Sequence, residues 1–259
     1  MHLLIMSLIW AVVAASWDIV LGYAGIFNLG QIAFFAIGAY VTGILSKNLG
    51  VSPWIGLIAG GFVAGISGIL IGLPCLKLKG IYVALMTLAF YEVIGPLIVV
   101  GRPIGTGGKG GLLPIPPLSV GSYVFSSSRP VPWYIVAFAI FTICVFVIYR
   151  MINSYFGLSF VALRDQENLA QSLGVNRFKA SLLISGSAAF LTGVAGAFYA
   201  HYVSSISPRM LGLDSFLFLL IMVIFGGAGN FPGAVIGAFF ITFINDLLRP
   251  LGTYRLLVL

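Results

Sequence analysis

Residues 22–40 read GYAGIFNLGQIAFFAIGAY. Gly22, Gly25 and Gly30 interrupt an otherwise apolar run, and Asn28 and Gln31 stand beside them. Non-helical backbone survives at membrane depth only where protein or a water-filled cavity covers it. Broken helices of this kind build substrate sites near the bilayer midplane in transporters. A plainer reading is that small residues ease helix packing. The polar pair favours a helix break that lines a pathway, with Asn28 and Gln31 on the route.

The rest of the chain fits a membrane setting. Of 259 residues, 60% are hydrophobic and 7% are charged, whereas a soluble domain carries about 25% charge to keep its surface wet. Lipid must therefore be the outer solvent. The 33 glycines suit closely packed or interrupted membrane helices. A span needs about 20 apolar residues, and eight candidates meet or approach that length: 1–21, 24–45, 53–73, 81–100, 132–149, 180–203, 213–225 and 234–248. The last two are short and flank GGAGNFPG, the pattern of half-helices. The expectation is an all-α polytopic protein of about eight transmembrane segments, some broken or re-entrant. It forms a single transmembrane domain over 1–259, in two related halves. A further apolar run opens at Leu256, so flanking helices are expected to be missing from the sequence.

Charge sets the orientation. Lys77 and Lys79 share one short loop, and Arg150, Arg164, Arg177 and Lys179 bound or occupy the loop at about 150–179. Two spans separate these loops, so they lie on one side, which the positive-inside rule makes cytoplasmic. The loop at about 101–131 then lies outside, with Arg102, Lys109 and Arg129. The net charge of +7 is mostly this topology signal. No basic patch on a soluble face supports nucleic-acid binding. The inner loop has helical composition: 162–173 lacks Gly and Pro, and Gly174 is a natural terminator. A short helix over 162–173, bracketed by Gly157 and Gly174, would present Leu163, Gln166 and Ala170 near one face, with Leu169 and Leu173 adjoining it. Arg164, Asp165 and Glu167 would form a charged rim.

Other motifs carry less. GTGGKGG at 105–111 fits GxGxxG in letters, but it follows a span and precedes prolines, so no strand and helix frame a phosphate site. A flexible loop or half-helix is the expectation there. Cys75 and Cys144 lie in or beside spans and make no metal cluster. His201, at the end of an apolar helix beside Tyr202, reads as interfacial. No nucleophile elbow or zinc spacing points to an enzyme. Ionisable groups inside spans are costly and mark pathways or paired sites. Glu92, about 20 Å into its helix from Lys79, reads as a polar determinant near Asn28 and Gln31. Asp18 reads as a pathway residue, a structural ion-pair member or an interfacial carboxylate.

The break has an echo. Ala24-Gly25-Ile26-Phe27 is matched by Ala228-Gly229-Asn230-Phe231, and each precedes an Ala-Phe-Phe, at 33–35 and 238–240. Paired broken helices in a duplicated transporter leave such a trace.

Five blocks in order carry a family resemblance: 22–40, 76–93, 106–111, 156–183 and 218–238. On them the chain resembles the permease subunits of branched-chain amino-acid ABC importers, in their LivM-like branch. The resemblance implies a transport subunit without a cofactor of its own, in a bacterial or archaeal plasma membrane. It implies a pathway shared with a second permease, two cytoplasmic ATPase subunits that carry ATP hydrolysis, and an extracytoplasmic substrate-binding protein. It matches 156–183 to the family's ATPase-contacting loop and assigns coupling to Ala162, Arg164, Asp165, Glu167, Ala170 and Gly174. Asn28-Leu29-Gly30-Gln31 departs from the Ser-Leu-Gly-His or Ser-Leu-Gly-Gln common in relatives, which leaves the substrate open among branched-chain and other amino acids, amides and urea. The alternative class is a channel or ion-coupled transporter without an ATPase, which would not need the inner helix.

Overall fold

The computed structural model describes residues 1–78, 80–120, 123–126 and 129–248; Lys79 and the apolar run from Leu256 lie outside them. Among the described residues ten α-helices account for nearly all the regular structure. They are α1 (His2–Asp18), α2 (Gln31–Asn48), α3 (Pro53–Cys75), α4 (Ile81–Val100), α5 (Pro130–Ile152), α6 (Tyr155–Asp165), α7 (Glu167–Ser172), α8 (Arg177–Val203), α9 (Leu213–Gly226) and α10 (Gly233–Leu247). The protein is thus an all-helical, multi-pass membrane protein.

Helix length follows the apolar runs. Among the described residues five helical stretches are long and apolar enough to cross a membrane: 2–23, 53–75, 81–100, 130–152 and 177–203. The helix expected from residue 24 begins only at Gln31, because the glycine-rich segment before it is not helical. α9 and α10, of 14 and 15 residues, reach about 21–23 Å at 1.5 Å per residue. That is short of the ~30 Å hydrocarbon core, as half-helices would be.

Packing is by small residues. α2, α3 and α8 press together where Gly38 faces the Gly193 carbonyl, Gly60 faces the Gly38 carbonyl and Gly193 faces Ala64. Without a hydrophobic drive between helices in lipid, such close approach supplies the dispersion that holds them. α1 is almost wholly buried, between α5, α8, α9 and α10, while α4 and α5 keep most of their surface exposed. An apolar cluster threads α1, α2, α5, α8, α9 and α10, and includes Trp17, Phe35, Trp133, Phe198 and Met222.

Chain alternation puts the loops at about 101–131 and 150–179 at opposite ends of the bundle. The first is pinned rather than loose. Leu112 and Ile206 exchange backbone hydrogen bonds of 2.8 and 3.1 Å, Lys47 donates to Leu113 O (2.6 Å), and Trp54 donates to Ser119 O (2.8 Å). Its glycine cluster winds into two short 3₁₀ turns, Arg102–Ile104 and Gly108–Gly110. A two-residue antiparallel ladder pairs Ser119–Val120 with Tyr123–Val124. His201 is not exposed at the end of its helix. It is fully buried, 2.7 Å from both Pro116 O and Thr42 Oγ1. A carbonyl only accepts, so Nδ1 carries the proton and Nε2 accepts from the Thr42 hydroxyl. The long loop folds over the end of α8 and encloses the imidazole.

Candidate functional site

The site is built from two helix breaks that touch. The first starts where α1 gives way to a π-wound turn, Ile19–Tyr23. Widening of this kind is frequent at functional positions in helices. Residues 24–30 are then irregular, with Gly25 at φ +63°. Their polar groups are met by protein. Trp17 Nε1 donates to Asn28 O (2.6 Å), and the Asn28 side chain accepts from Gly30 N–H (2.8 Å). Leu29 N–H donates to Thr87 Oγ1 (3.0 Å). This is the cover that irregular backbone needs within a membrane.

α2 starts deep in the bundle. Phe34 packs with Ala64, the middle residue of α3, so Gln31, three residues before Phe34, lies about 4–5 Å along the helix axis from the level of that contact. Gln31 Nε2 donates to Thr192 Oγ1, while Gln31 Oε1, buried, has no hydrogen-bond partner among the described residues. Asn28 and Gln31 are therefore together at the break, both buried within the chain. Glu92 is not with them. Phe90 packs against Phe34 and Thr87 faces the break, whereas Glu92, two residues past Phe90, is exposed on the other side of α4. Two residues along a helix rotate by about 200°, which the linear sequence hides.

The second break joins α9 to α10 through 227–232, with Gly227 at φ +84° and Gly229 at +79°. The sequence echo extends to the backbone, since Gly25 and Gly229 hold matching positions and both take left-handed angles. The two breaks are bonded to each other. Asp18 Oδ1 accepts from Gly229 N–H (2.7 Å), and Tyr23 Oη accepts from Phe231 N–H (3.0 Å). Asp18 is thus a buried hydrogen-bond acceptor rather than an ion-pair member or an interfacial carboxylate. Gly22 lies against the Gly229 backbone with no room for a side chain.

The 150–179 segment reaches this junction. Its expected single helix is two, α6 and α7, broken at Gln166 (φ −148°, ψ 82°). A continuous helix would put residues 164 and 167 on one face; the break aims them at different partners. Arg164 Nη1 donates to Gly22 O (2.7 Å) and its Nε to Asp165 Oδ1 (2.9 Å). The Arg164 stem fills the space above Gly25, where a Cβ would come within 2.6 Å of Arg164 Cγ. Glu167 pairs with Arg177 (2.7 Å) at the start of α8.

Other expectations for this segment also change. Gly157 does not precede the helix but lies within α6, against the Ile152 carbonyl. Ala170 is only 3% exposed, so it is not a free contact face. Ala162 and Leu163 are half-buried, Asp165 is exposed, and Gly174 at φ +90° follows α7 as a terminator should. Of the expected apolar face, Leu169 and Leu173 are the residues presented outward. Behind α6 lies a cavity of about 550 Å³, walled by residues 24–27, Gly80, Ile81, Val83, Ala84, Phe160, Arg164, Glu167, Arg177, Ser181 and Ser185.

Thr87, Thr192, Trp17 and Tyr23 were not foreseen as parts of the site. Hydroxyls and indoles inside apolar helices are too common to single out without knowing their partners.

The family model described as "Branched-chain amino acid transport system / permease component" matches residues 1–258. The high-affinity branched-chain amino acid transport system permease protein LivM of Salmonella typhimurium is 29% identical over 98% of this chain and 64% of its own length. The chain thus spans under two thirds of that relative. A probable branched-chain amino acid transport permease protein LivM of Methanocaldococcus jannaschii is 26% identical, over 95% of this chain and 81% of that protein. The ribose import permease protein RbsC of Haemophilus influenzae is 27% identical, over 93% and 74%. No solved structure matches. With its paired breaks and a family match that runs almost end to end, this chain belongs to the permease-component family of branched-chain amino acid transport systems.

Proposed function

We propose that the chain is a translocating subunit of an ATP-driven importer in a bacterial or archaeal plasma membrane, carrying branched-chain or other amino acids. In this reading a second, related permease completes the route, two cytoplasmic ATPase subunits drive it, and an extracytoplasmic binding protein delivers substrate. The loop at about 150–179 is cytoplasmic and the one at about 101–131 is outside, as the positive-inside rule favours. A route for zwitterions through small-residue walls needs few polar groups, because the binding protein supplies selectivity. Asn28 and Gln31 shape the route by fixing where α2 begins. Glu92 is its polar determinant on the face turned to the second permease, since an ionisable group mid-span calls for protein or water rather than lipid. A ribose permease among the relatives supports a scaffold whose substrate is set by details of the route.

The observation that carries the reading is the α6–α7 hairpin. One side is tied into the bundle by Arg164 and Glu167; the other offers Leu169 and Leu173, 58% and 78% exposed. Two bare leucines on a tethered hairpin fit a groove on a motor subunit, with Asp165 and the end of α7 near Gly174 at its edges. The Leu169→Asp/Leu173→Asp double variant is expected to insert normally and to lose at least nine-tenths of the copurifying ATPase and of uptake. Normal copurification and uptake would remove the hairpin from coupling and point to the alternative, a channel or ion-coupled carrier.

A further inference from the structure

We infer that Arg164 is the positioning residue through which the α6–α7 hairpin acts on the paired helix breaks, holding them closed in the state described above; the role in transport rests on the proposed ATP-driven reading. The geometry gives Arg164 two attachments and one close approach. Its Nη1 donates to the carbonyl of Gly22, in the first break. Its stem lies over Gly25, where a β-carbon would displace it. The same guanidinium nitrogen comes close to Gly229, in the second break, about 3.5 Å from where a Cβ there would stand. One side chain from a helix outside the spans thus bonds to the first interruption and stands beside the second, where the two touch each other.

Among the described residues two hydrogen bonds join the breaks directly. Asp18 takes the Gly229 N–H and Tyr23 takes the Phe231 N–H. Both acceptors lie on the first break and both donors on the second, and neither bond involves the hairpin. Arg164 is therefore the link by which a displacement of α6 reaches the junction. A hydrogen bond from a charged donor is stronger and more directional than a neutral one, and it is lost within about 1 Å of displacement. The Gln166 break matters here. It lets Arg164 point inward while Glu167 holds α7 to Arg177 of α8, so the hairpin has one fixed leg on α8 and one leg on the breaks. Motion of the hairpin about the α8 leg pulls on Gly22.

The test uses the assembled complex in proteoliposomes, and spin labels on the permease chain. Arg164→Ala is expected to keep its ATPase subunits and their hydrolysis while the substrate moved per ATP falls at least tenfold. Arg164→Lys, which keeps a charged donor, recovers at least half. An unchanged ratio overturns the proposal, and so does loss of ATPase copurification in Arg164→Ala, which would place Arg164 in the docking surface instead. A second readout needs no motor. In a Cys75→Ser/Cys144→Ala background, labels at the exposed positions Leu158 and Ala228 report the distance from α6 to the second break. That distance distribution is expected to broaden in Arg164→Ala, or in Arg164→Gln should the alanine variant not fold. An identical distribution overturns the link. Failure of the wild-type chain to retain any ATPase would instead overturn the transport reading and leave the distance measurement to decide the link alone.

Discussion

Gly22→Val is expected to abolish accumulation of folded protein. The position has no spare volume. A β-carbon there would overlap the backbone of Gly229 and the carboxylate of Asp18. Overpacking a core normally costs about 1–3 kcal/mol, because neighbouring side chains rotate away. Here the obstacle is largely main chain, already fixed by the Asp18–Gly229 bond, so the cost exceeds that range. Against a total stability of about 5–15 kcal/mol, loss of the junction leaves little. Gly110→Val is the matched control, since nothing stands within 4 Å of a β-carbon at Gly110. Size-exclusion profiles of detergent-extracted protein should show a normal peak for the control and an aggregated or absent peak for Gly22→Val. A monodisperse Gly22→Val with wild-type melting temperature would contradict the close apposition of the two breaks.

Asp18 separates the mechanisms as well as the structures. Its carboxylate accepts the Gly229 N–H in a buried setting, and an amide oxygen accepts as well. Asp18→Asn is therefore expected to keep most of the uptake. Asp18→Ala leaves Gly229 N–H unpaired, at about 1–3 kcal/mol for a buried donor, and lets the breaks separate. Its uptake should drop severalfold and its melting temperature should fall. An ion-coupled carrier that used Asp18 as its proton or cation site would give a different pattern, with Asn as damaging as Ala because the charge is gone in both. Equal loss in the two variants would favour that carrier.

These two positions also show how far the sequence could be read. Hydropathy and length placed most spans within about three residues, and 81–100 coincides with α4 at both ends; the span expected from residue 24 is the exception, since α2 begins at Gln31. The first break was legible because glycine and amide residues are rare together inside an apolar run. The echo at 228–231 was legible as similarity, but not as contact, because nothing local says that Asp18 meets a backbone group 211 residues away. The coupling segment was misread for a related reason. Residues 162–173 contain no helix breaker, so a single helix with Ala170 outward followed from periodicity. The chain breaks at Gln166 because Arg164 and Glu167 have partners on different helices, and that tertiary demand overrides local propensity. His201 was assigned to an interface from its place at a helix end, and only the fold of the 101–131 loop over α8 encloses it. Glu92 was put beside Asn28 and Gln31 by depth alone; helix phase turns it away.

The central claim is that this chain moves its substrate by ATP hydrolysis on the side of the α6–α7 hairpin. The most direct test is uptake of radiolabelled leucine into proteoliposomes that hold the permease pair and its ATPase subunits, with ATP sealed on that side and the binding protein added on the other. The account predicts accumulation that requires ATP, stops with a non-hydrolysable analogue and is indifferent to proton and sodium ionophores. Leucine accumulation that proceeds without ATP and collapses with an ionophore would contradict it.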